Sequence, residues 1–402
     1  MTDSTGFNPN VTGPLSDMRV VDLTRLAAGN MLSHMMADFG AEVIKIERPE
    51  IGDDLRRFGH GGVWWKVYGR SKKSVTLNLK SEEGKELLKR IIADSDVMIE
   101  NFVPGTLENW GLGPDVLWRN SPDLVIARIS GWGQTGPYSN RPGFGTLIEA
   151  LSGFASMTGF DDKPPLLPPL ALADMVAGLA GFGAVSTALL AREKGKSKGQ
   201  VIDLSLFEPL HGILGPWSAE YIATGQTPRR MGNSSEVAAP RGVYLCKDGK
   251  HIAMSASMQS MWEQLAHAMG LPELVDDPRF KSTRDRVENQ TELDEIVSEF
   301  FMRRNLKDNL DYCRQKGITA GEIADAADLI DHDYIKGREI LVHAADKDFG
   351  AIPMHNVFPR LSATPGAIRA PAPDVGQHTA EILESMGINA LQRKELARRG
   401  VI

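Results

Sequence analysis

The carboxylate best placed for chemistry is Asp174, in the segment LPPLALADMVAGLAGFGA, with apolar residues on both sides. An Asp just before an apolar helical run is an N-cap signal, its side chain accepting a backbone N–H. The position also suits a second role. A helix N-terminus keeps a carboxylate ionised, and an ionised carboxylate in an apolar pocket is a usable nucleophile. The two readings are compatible. Arg48, in IERPE, suits either a phosphate contact or a surface salt bridge. Arg70, Lys72 and Lys73 (GRSKKS) suit a solvated turn or a face toward a polyanion, and Trp64-Trp65 (GVWWKVYG) a hydrophobic lid or loop packing.

Other chemical motifs are incomplete. Gly195-Lys196-Ser197 imitates the end of a P-loop, but Leu190 stands where the first Gly is needed, so a solvated basic loop is expected. The nine histidines never fall in HxH or HExxH spacing, so no metal site is expected. There is no GxSxG elbow. Gly131 to Gly136 (GWGQTG) matches GxGxxG and follows a strand, but Pro137, Tyr138, Ser139 and Asn140 read as loop where a dinucleotide site needs a helix. A nicotinamide or flavin cofactor is therefore not expected.

The elements that must position these residues are strands and helices in alternation. Met18 to Thr24 is a β-rich run, and Val43 to Ile46 another; between them Leu32, Met35, Met36 and Phe39 mark one helical face, with Gly40 as the stop. Such a unit is a right-handed βαβ crossover, hence a parallel sheet. The pattern continues with strands at 74–79, 97–99, 124–129 and 201–206, a helix capped by Ser81, and an apolar helical stretch from Met175 to Ala191. That stretch, about 17 residues, is at the short end for a membrane span and better suits a buried helix. Arg48 and Asn101-Phe102 then fall at the carboxyl edge of the sheet, where open α/β sheets bind ligands.

The fold class expected is α/β: a Rossmann-like large domain over 1–225, a smaller α+β domain over 226–330, and a C-terminal segment, 331–402, returning to the large domain. Asp248-Gly249 marks a hairpin in the smaller domain. The net charge of −7 argues against non-specific nucleic-acid binding. Two cysteines, Cys246 and Cys313, make no disulfide framework. The polar N-terminal stretch carries no signal-peptide pattern, and a cytoplasmic location without a membrane partner is expected.

Taken in order, VVDLTRLAAGN, DFGAEVIKIERPEIGDDLR, SKKSVTLNLKSEEGKELL, ENFVPGTLENWGLG, ISGWGQTGPY, LADMVAG and SATPGAIRAPAPDVGQHT carry a likeness over nearly the whole chain. The sequence resembles the class III CoA-transferase family (CaiB/BaiF type, with the carnitine and formyl-CoA:oxalate CoA-transferases). The resemblance implies an aspartate nucleophile at Asp174, acyl-CoA and carboxylic acid substrates, no tightly bound cofactor or metal, and an interlinked homodimer. It also implies CoA contacts at Leu26, Ala27, Ala28, Arg48, Leu77, Asn78, Leu79, Lys80, Asn101, Phe102, Arg141, Gly143 and Phe144. Gly232 and its neighbours are the expected source of backbone donors to an oxyanion.

Departures narrow the reading. Asn109 stands where many members have a basic residue, and MGNSSEVAA (231–239) lacks the long glycine run of the oxalate enzymes. The α-methylacyl-CoA racemase branch needs a His acid/base partner; Phe144 takes that place here and cannot carry a proton. Transfer of CoA, with succinyl-CoA as the default donor, is favoured over racemisation and over a catalytically silent CoA-binding subunit of a heteromer. Arg229, Arg230 and Arg241 are candidates for holding a second carboxylate of the substrate.

Overall fold

A computed structural model describes residues 6–402. Short β-branched runs form six strands: β1 (Arg19–Asp22), β2 (Glu42–Glu47), β3 (Lys72–Thr76), β4 (Val97–Glu100), β5 (Val125–Ser130) and β6 (Val201–Ser205). They make one parallel sheet in the order β3-β2-β1-β4-β5-β6. The order reverses between β1 and β4, the switch point of a doubly wound sheet. Because successive side chains alternate, Val20, Val43, Val97 and Val125 enter one buried cluster and Val21, Ile44, Met98 and Ile126 another on the opposite face.

Between β1 and β2 runs α1 (Ala27–Asp38), ended at Phe39 and the positive-φ Gly40. The four apolar positions expected on one face are divided. Leu32 and Met36 pack on the sheet, whereas Met35 and Phe39 join a separate cluster with Ala344, Ile352 and Met354, because α1 is buried almost all round. Ser81 caps the helix Glu82–Ala93 by accepting the Gly84 N–H at 3.1 Å.

The helix Leu172–Glu193 is 22 residues long, enough by length and composition to cross a membrane. Here its small-residue face, Ala173, Ala177, Gly181, Val185 and Ala188, lies in the sheet-side core. Gly178 faces α1 so closely that a Cβ would sit 2.6 Å from that of Met31. The glycine therefore sets how near the two helices come.

The chain divides into two units. The first holds 1–152, 168–215 and 333–402, and includes the hairpin of β10 (Leu341–Asp346) and β11 (Gly350–His355). The second holds 153–167 and 216–332. It has an antiparallel sheet of β7 (Arg241–Leu245), β8 (His251–Ser255) and β9 (Ala320–Glu322), turned at Asp248-Gly249. Its own core is built on Trp262, Phe280, Phe300 and Phe301. The strip 153–167 falls in this unit through long-range backbone pairing: Phe160 bridges Met231, and the Gly232 N–H donates to the Gly159 carbonyl at 2.7 Å. A local pattern carries no trace of that pairing. Among the helices not legible as such are Val63–Tyr68, Gly145–Leu151, Phe207–Ile213 and Ala390–Arg398.

Candidate active site

A cavity of about 1090 Å³ opens outside the carboxyl ends of all six strands of the first unit. Of the positions singled out by sequence, Leu26, Ala28, Arg48, Leu77, Asn78, Leu79, Lys80, Asn101, Phe102, Gly143, Phe144 and Asp174 line it. Ala27 and Arg141 do not; the Arg141 guanidinium stacks 3.6 Å above the Tyr138 ring instead.

Asp174 lies in the first turn of Leu172–Glu193 rather than at its N-cap, which is Ala171 and offers no side-chain bond. Burial pushes its carboxyl up to about 6, and the nearby charge of Glu149 adds to the rise. Two backbone N–H groups oppose the shift: Asp174's own and that of Ala28, in the first turn of α1. The nucleophile candidate is thus held by helix N-termini yet stays more basic than an ordinary aspartate. Gly145 stands against it; a Cβ there would meet Asp174 Oδ2 at 2.7 Å. Phe144, immediately before, is exposed at the cavity wall.

The α1 amides owe their direction to a buried polar network beneath the cavity. Leu26, which precedes α1, has φ of 64° and ψ of −144°, a strained conformation for a side-chain-bearing residue. Asp53 holds it, accepting the Leu26 N–H at 3.1 Å, the Leu55 N–H at 2.8 Å and the Asn30 amide at 2.8 Å. Lys45 pairs with Asp53 at 3.0 Å and Asp22 at 3.1 Å, and Lys72 donates to Asn30 and Ser33. Burial opposes ionisation of Asp53, but the Lys45 charge and the donated hydrogen bonds outweigh it and hold the carboxyl at about 2. Lys72, wholly buried and beside a second ammonium, is pushed down to about 8 despite Asp22.

At the rim Arg25, Arg48 and Arg57 converge on Asp54. One carboxylate against three guanidiniums leaves the group cationic, a chemistry that matches phosphates. Asn101 plays a different part. It accepts the Arg25 N–H at 2.9 Å and donates to the Arg25 carbonyl at 2.8 Å, clamping the turn after β1. Asn78 ties the wall to the C-terminus, its backbone N–H donating to Val401 and its amide to Gly400, which itself lines the cavity.

Several sequence expectations need correction. Arg70 and Lys72 are buried, Arg70 paired with Asp38 at 2.6 Å, and Lys73 bridges Glu42 and Glu381; the basic run faces acids of its own chain, not a polyanion. Trp65 is not a lid. Its ring lies 3.9 Å beneath Arg56, and its N–H donates to the Pro373 carbonyl at 3.0 Å. GWGQTG, by contrast, opens no helix, in line with the loop read from sequence; the Gln134 N–H donates to Asp203. The Gly232 N–H is spent on Gly159, so it is not a free oxyanion donor. Within the second unit Arg229 pairs with Asp161 and Arg230 donates to the carbonyls of Phe160, Asp161 and Lys163.

The sequence reading missed Asp53, Gly400 and Glu149. Asp53 has a detectable signal, an Asp two residues before Leu55 at a short helical turn. Glu149 has none: in GTLIEALSG it looks like any helical glutamate. Among the described residues no group of three His, Cys, Asp or Glu side chains is arranged for a metal ion.

Comparison with known proteins agrees with this geometry. A sequence profile described as CoA-transferase family III matches residues 15–379. Succinyl-CoA–D-citramalate CoA-transferase of Chloroflexus aurantiacus is 38% identical over 379 residues, 93% of this chain and 94% of that one. The beta subunit of succinyl-CoA–L-malate CoA-transferase from the same organism is 37% identical over 400 residues, covering 97% of this chain and 98% of that one. The crystal structure of a CAIB/BAIF family protein from Brucella suis superposes with a TM-score of 0.83 at 32% identity, over 93% of this chain and 100% of that one. With the profile spanning nearly all of the chain, the protein belongs to CoA-transferase family III and is an enzyme of that transferase class.

Proposed function

We propose that the protein moves CoA from an acyl-CoA donor, succinyl-CoA foremost, to a carboxylic acid through covalent intermediates on Asp174. The observation that carries this is a basic, half-buried carboxylate in the wall of a large cavity whose rim is cationic. The relatives named above use succinyl-CoA by their names, which supports the donor.

The steps follow from the groups present. The Asp174 carboxylate attacks the thioester carbonyl, the C–S bond breaks with its electron pair on sulfur, and a mixed anhydride and CoA thiolate form. The thiolate attacks the Asp174 carbonyl, giving an aspartyl-CoA thioester and releasing the donor acid. The acceptor carboxylate then attacks that thioester, and returning thiolate completes the new acyl-CoA and frees Asp174. Each step develops an oxyanion next to Asp174, and the first-turn N–H of Ala28, which favours the charged Asp174 carboxylate, is the candidate donor to it. An anhydride hydrolyses in water, and the apolar wall of Leu77, Leu79, Phe102 and Phe144 limits water's access.

Racemisation is disfavoured because, among the described residues, the cavity wall holds no histidine. A two-component enzyme is the second reading, favoured by relatives named as alpha and beta subunits. An interlinked homodimer is the first. Exposed Leu147, Leu151, Leu179 and Leu190 support association of either kind.

The test gives the purified chain a panel of acyl-CoAs and free acids in deuterated water, with every thioester read by mass spectrometry. New thioesters without α-deuterium are expected. Deuterium at the α-carbon with no new thioester would replace transfer by racemisation, and exchange appearing only with a second protein would establish the heteromer.

A further inference from the structure

Glu149 is buried, on the short helix Gly145–Leu151, and its Oε1 accepts the Ala173 N–H at 3.2 Å. Ala173 is the residue before Asp174, so Glu149 takes an amide at the N-terminus of Leu172–Glu193 that its Ala171 N-cap leaves unserved. An amide at a helix N-terminus favours the charged form of its acceptor. The point a Cβ on Gly145 would occupy lies 2.7 Å from Asp174 Oδ2 and 3.7 Å from Glu149 Oε1, which brings the two carboxylates into one pocket.

No cation among the described residues compensates this pair. Arg128 on β5 is bound by Glu100 and Glu108. On β6 Asp203 accepts the Gln134 N–H, and beyond it Glu208 accepts the Ser205 hydroxyl and His211 bonds the Ser152 carbonyl. His34 and Asp38 of α1 face His355 and Arg70. On the helix of Asp174 itself, Arg192 pairs with Asp96 at the far end.

We propose that Glu149 is a positioning residue for the nucleophile, a second carboxylate whose charge opposes that of Asp174 and is relieved whenever Asp174 is acylated. This rests on Asp174 as nucleophile and adds how its reactivity is set. When the Asp174 oxygen bonds to the acyl carbon, the electron pair of the broken C–S bond leaves on the CoA sulfur. The negative charge passes from Asp174 to the CoA thiolate, and in the acylated states Glu149 no longer faces a charged Asp174 carboxylate. The free carboxylate is raised in energy and basicity, while the anhydride and aspartyl-CoA states are not.

The experiment is the pH profile of kcat/KM for wild type and Glu149→Gln between pH 4.5 and 8. Gln keeps an oxygen for the Ala173 amide but no charge. In wild type, activity falls as acid protonates Asp174 near pH 6. In Glu149→Gln that limb should move down by about one pH unit, as expected when a neighbouring like charge is removed. The plateau kcat should fall about tenfold and less aspartyl-CoA should be found after acid quench, while Glu149→Asp should recover part of both. An unmoved limb with wild-type kcat would overturn the proposal. If Glu149→Gln does not fold, Glu149→Asp is read the same way, its shorter arm drawing the charge back from Asp174: the limb should still move down, by less, and an unmoved limb with wild-type kcat overturns the proposal. Exchange surviving in Asp174→Ala would sink the nucleophile itself, whereas a dead Asp174→Ala beside a wild-type Glu149→Gln profile sinks only the role of Glu149.

Discussion

Two groups of buried carboxylates lie within one unit and are treated in opposite ways. Below the cavity, Asp22 and Asp53 are matched by Lys45 and Lys72 and by hydrogen bonds from Ser33, Thr24, Asn30 and the backbone. At the cavity, Asp174 and Glu149 share a pocket with backbone amides alone. Burial acts against ionisation at both. The cations and hydrogen bonds win in the first, and Asp53 sits at about 2; in the second nothing outweighs burial, and Asp174 sits at about 6. The matched carboxylates hold a backbone turn still. The unmatched one retains the basicity that an attacking carboxylate needs.

The comparison can be broken at its strongest point by Asp174→Ala. Exchange of CoA should fall by roughly 10³-fold or more, the scale seen when a covalent nucleophile is removed, with the melting curve unimpaired. Near-wild-type exchange would end the contrast.

Next in size is Asp53→Asn. Its amide would point donors at Lys45 and the Asn30 amide, leaving Lys45 short of one anion, at a cost of about 3–5 kcal/mol in chemical denaturation. A loss under about 1 kcal/mol would mean that the network does not hold Leu26 as described. In wild type the same group sharpens the acid side. Its folded value is depressed, so its contribution is present above the ordinary carboxylate range and is lost as pH falls from about 4 toward 2.

Asp174→Asn should do the reverse and stabilise. A folded-state value raised to about 6 means that ionisation costs stability: the favourable contribution is full below about 4 and gone above about 6. At pH 8 the neutral amide should raise stability by about 1–2 kcal/mol, discounting for partial solvent access, and at pH 4 by little. Equal effects at both pH values would show that charge is not the cause.

The smallest effect expected is from Gly145→Ala. Its methyl would press on Asp174 Oδ2 at 2.7 Å, so the carboxylate must shift by a fraction of an ångström. A loss of about tenfold in kcat is expected with the fold intact, since displacement of a reacting group by about 1 Å costs up to 10²-fold. Unchanged kcat would show that the nucleophile has room to spare.

Much of this was legible in the chain itself. The alternation of β-branched runs with a 3.6-residue apolar period specifies strands and crossover helices locally, so the parallel sheet and the ligand edge follow from sequence. Asp174 was visible because a lone carboxylate in an apolar helical stretch violates the local pattern, and functional sites are where local rules are broken. Phe144 stood out only through the family resemblance, as the residue in the place of the racemase branch's histidine.

What only the tertiary structure decided is which charges meet. Lys72 and Arg70 look like a surface turn until the edge strand β3 pairs with β2, which brings Lys72 to Asp22 of β1 and Arg70 to Asp38 of α1. Glu149 looks like a solvated glutamate until Gly145 lets its helix close on Asp174. Periodicity is a property of neighbours in the chain. The free energy of a buried charge depends on neighbours in space, through a Coulomb term that strengthens as water is excluded, and those neighbours are chosen by the fold.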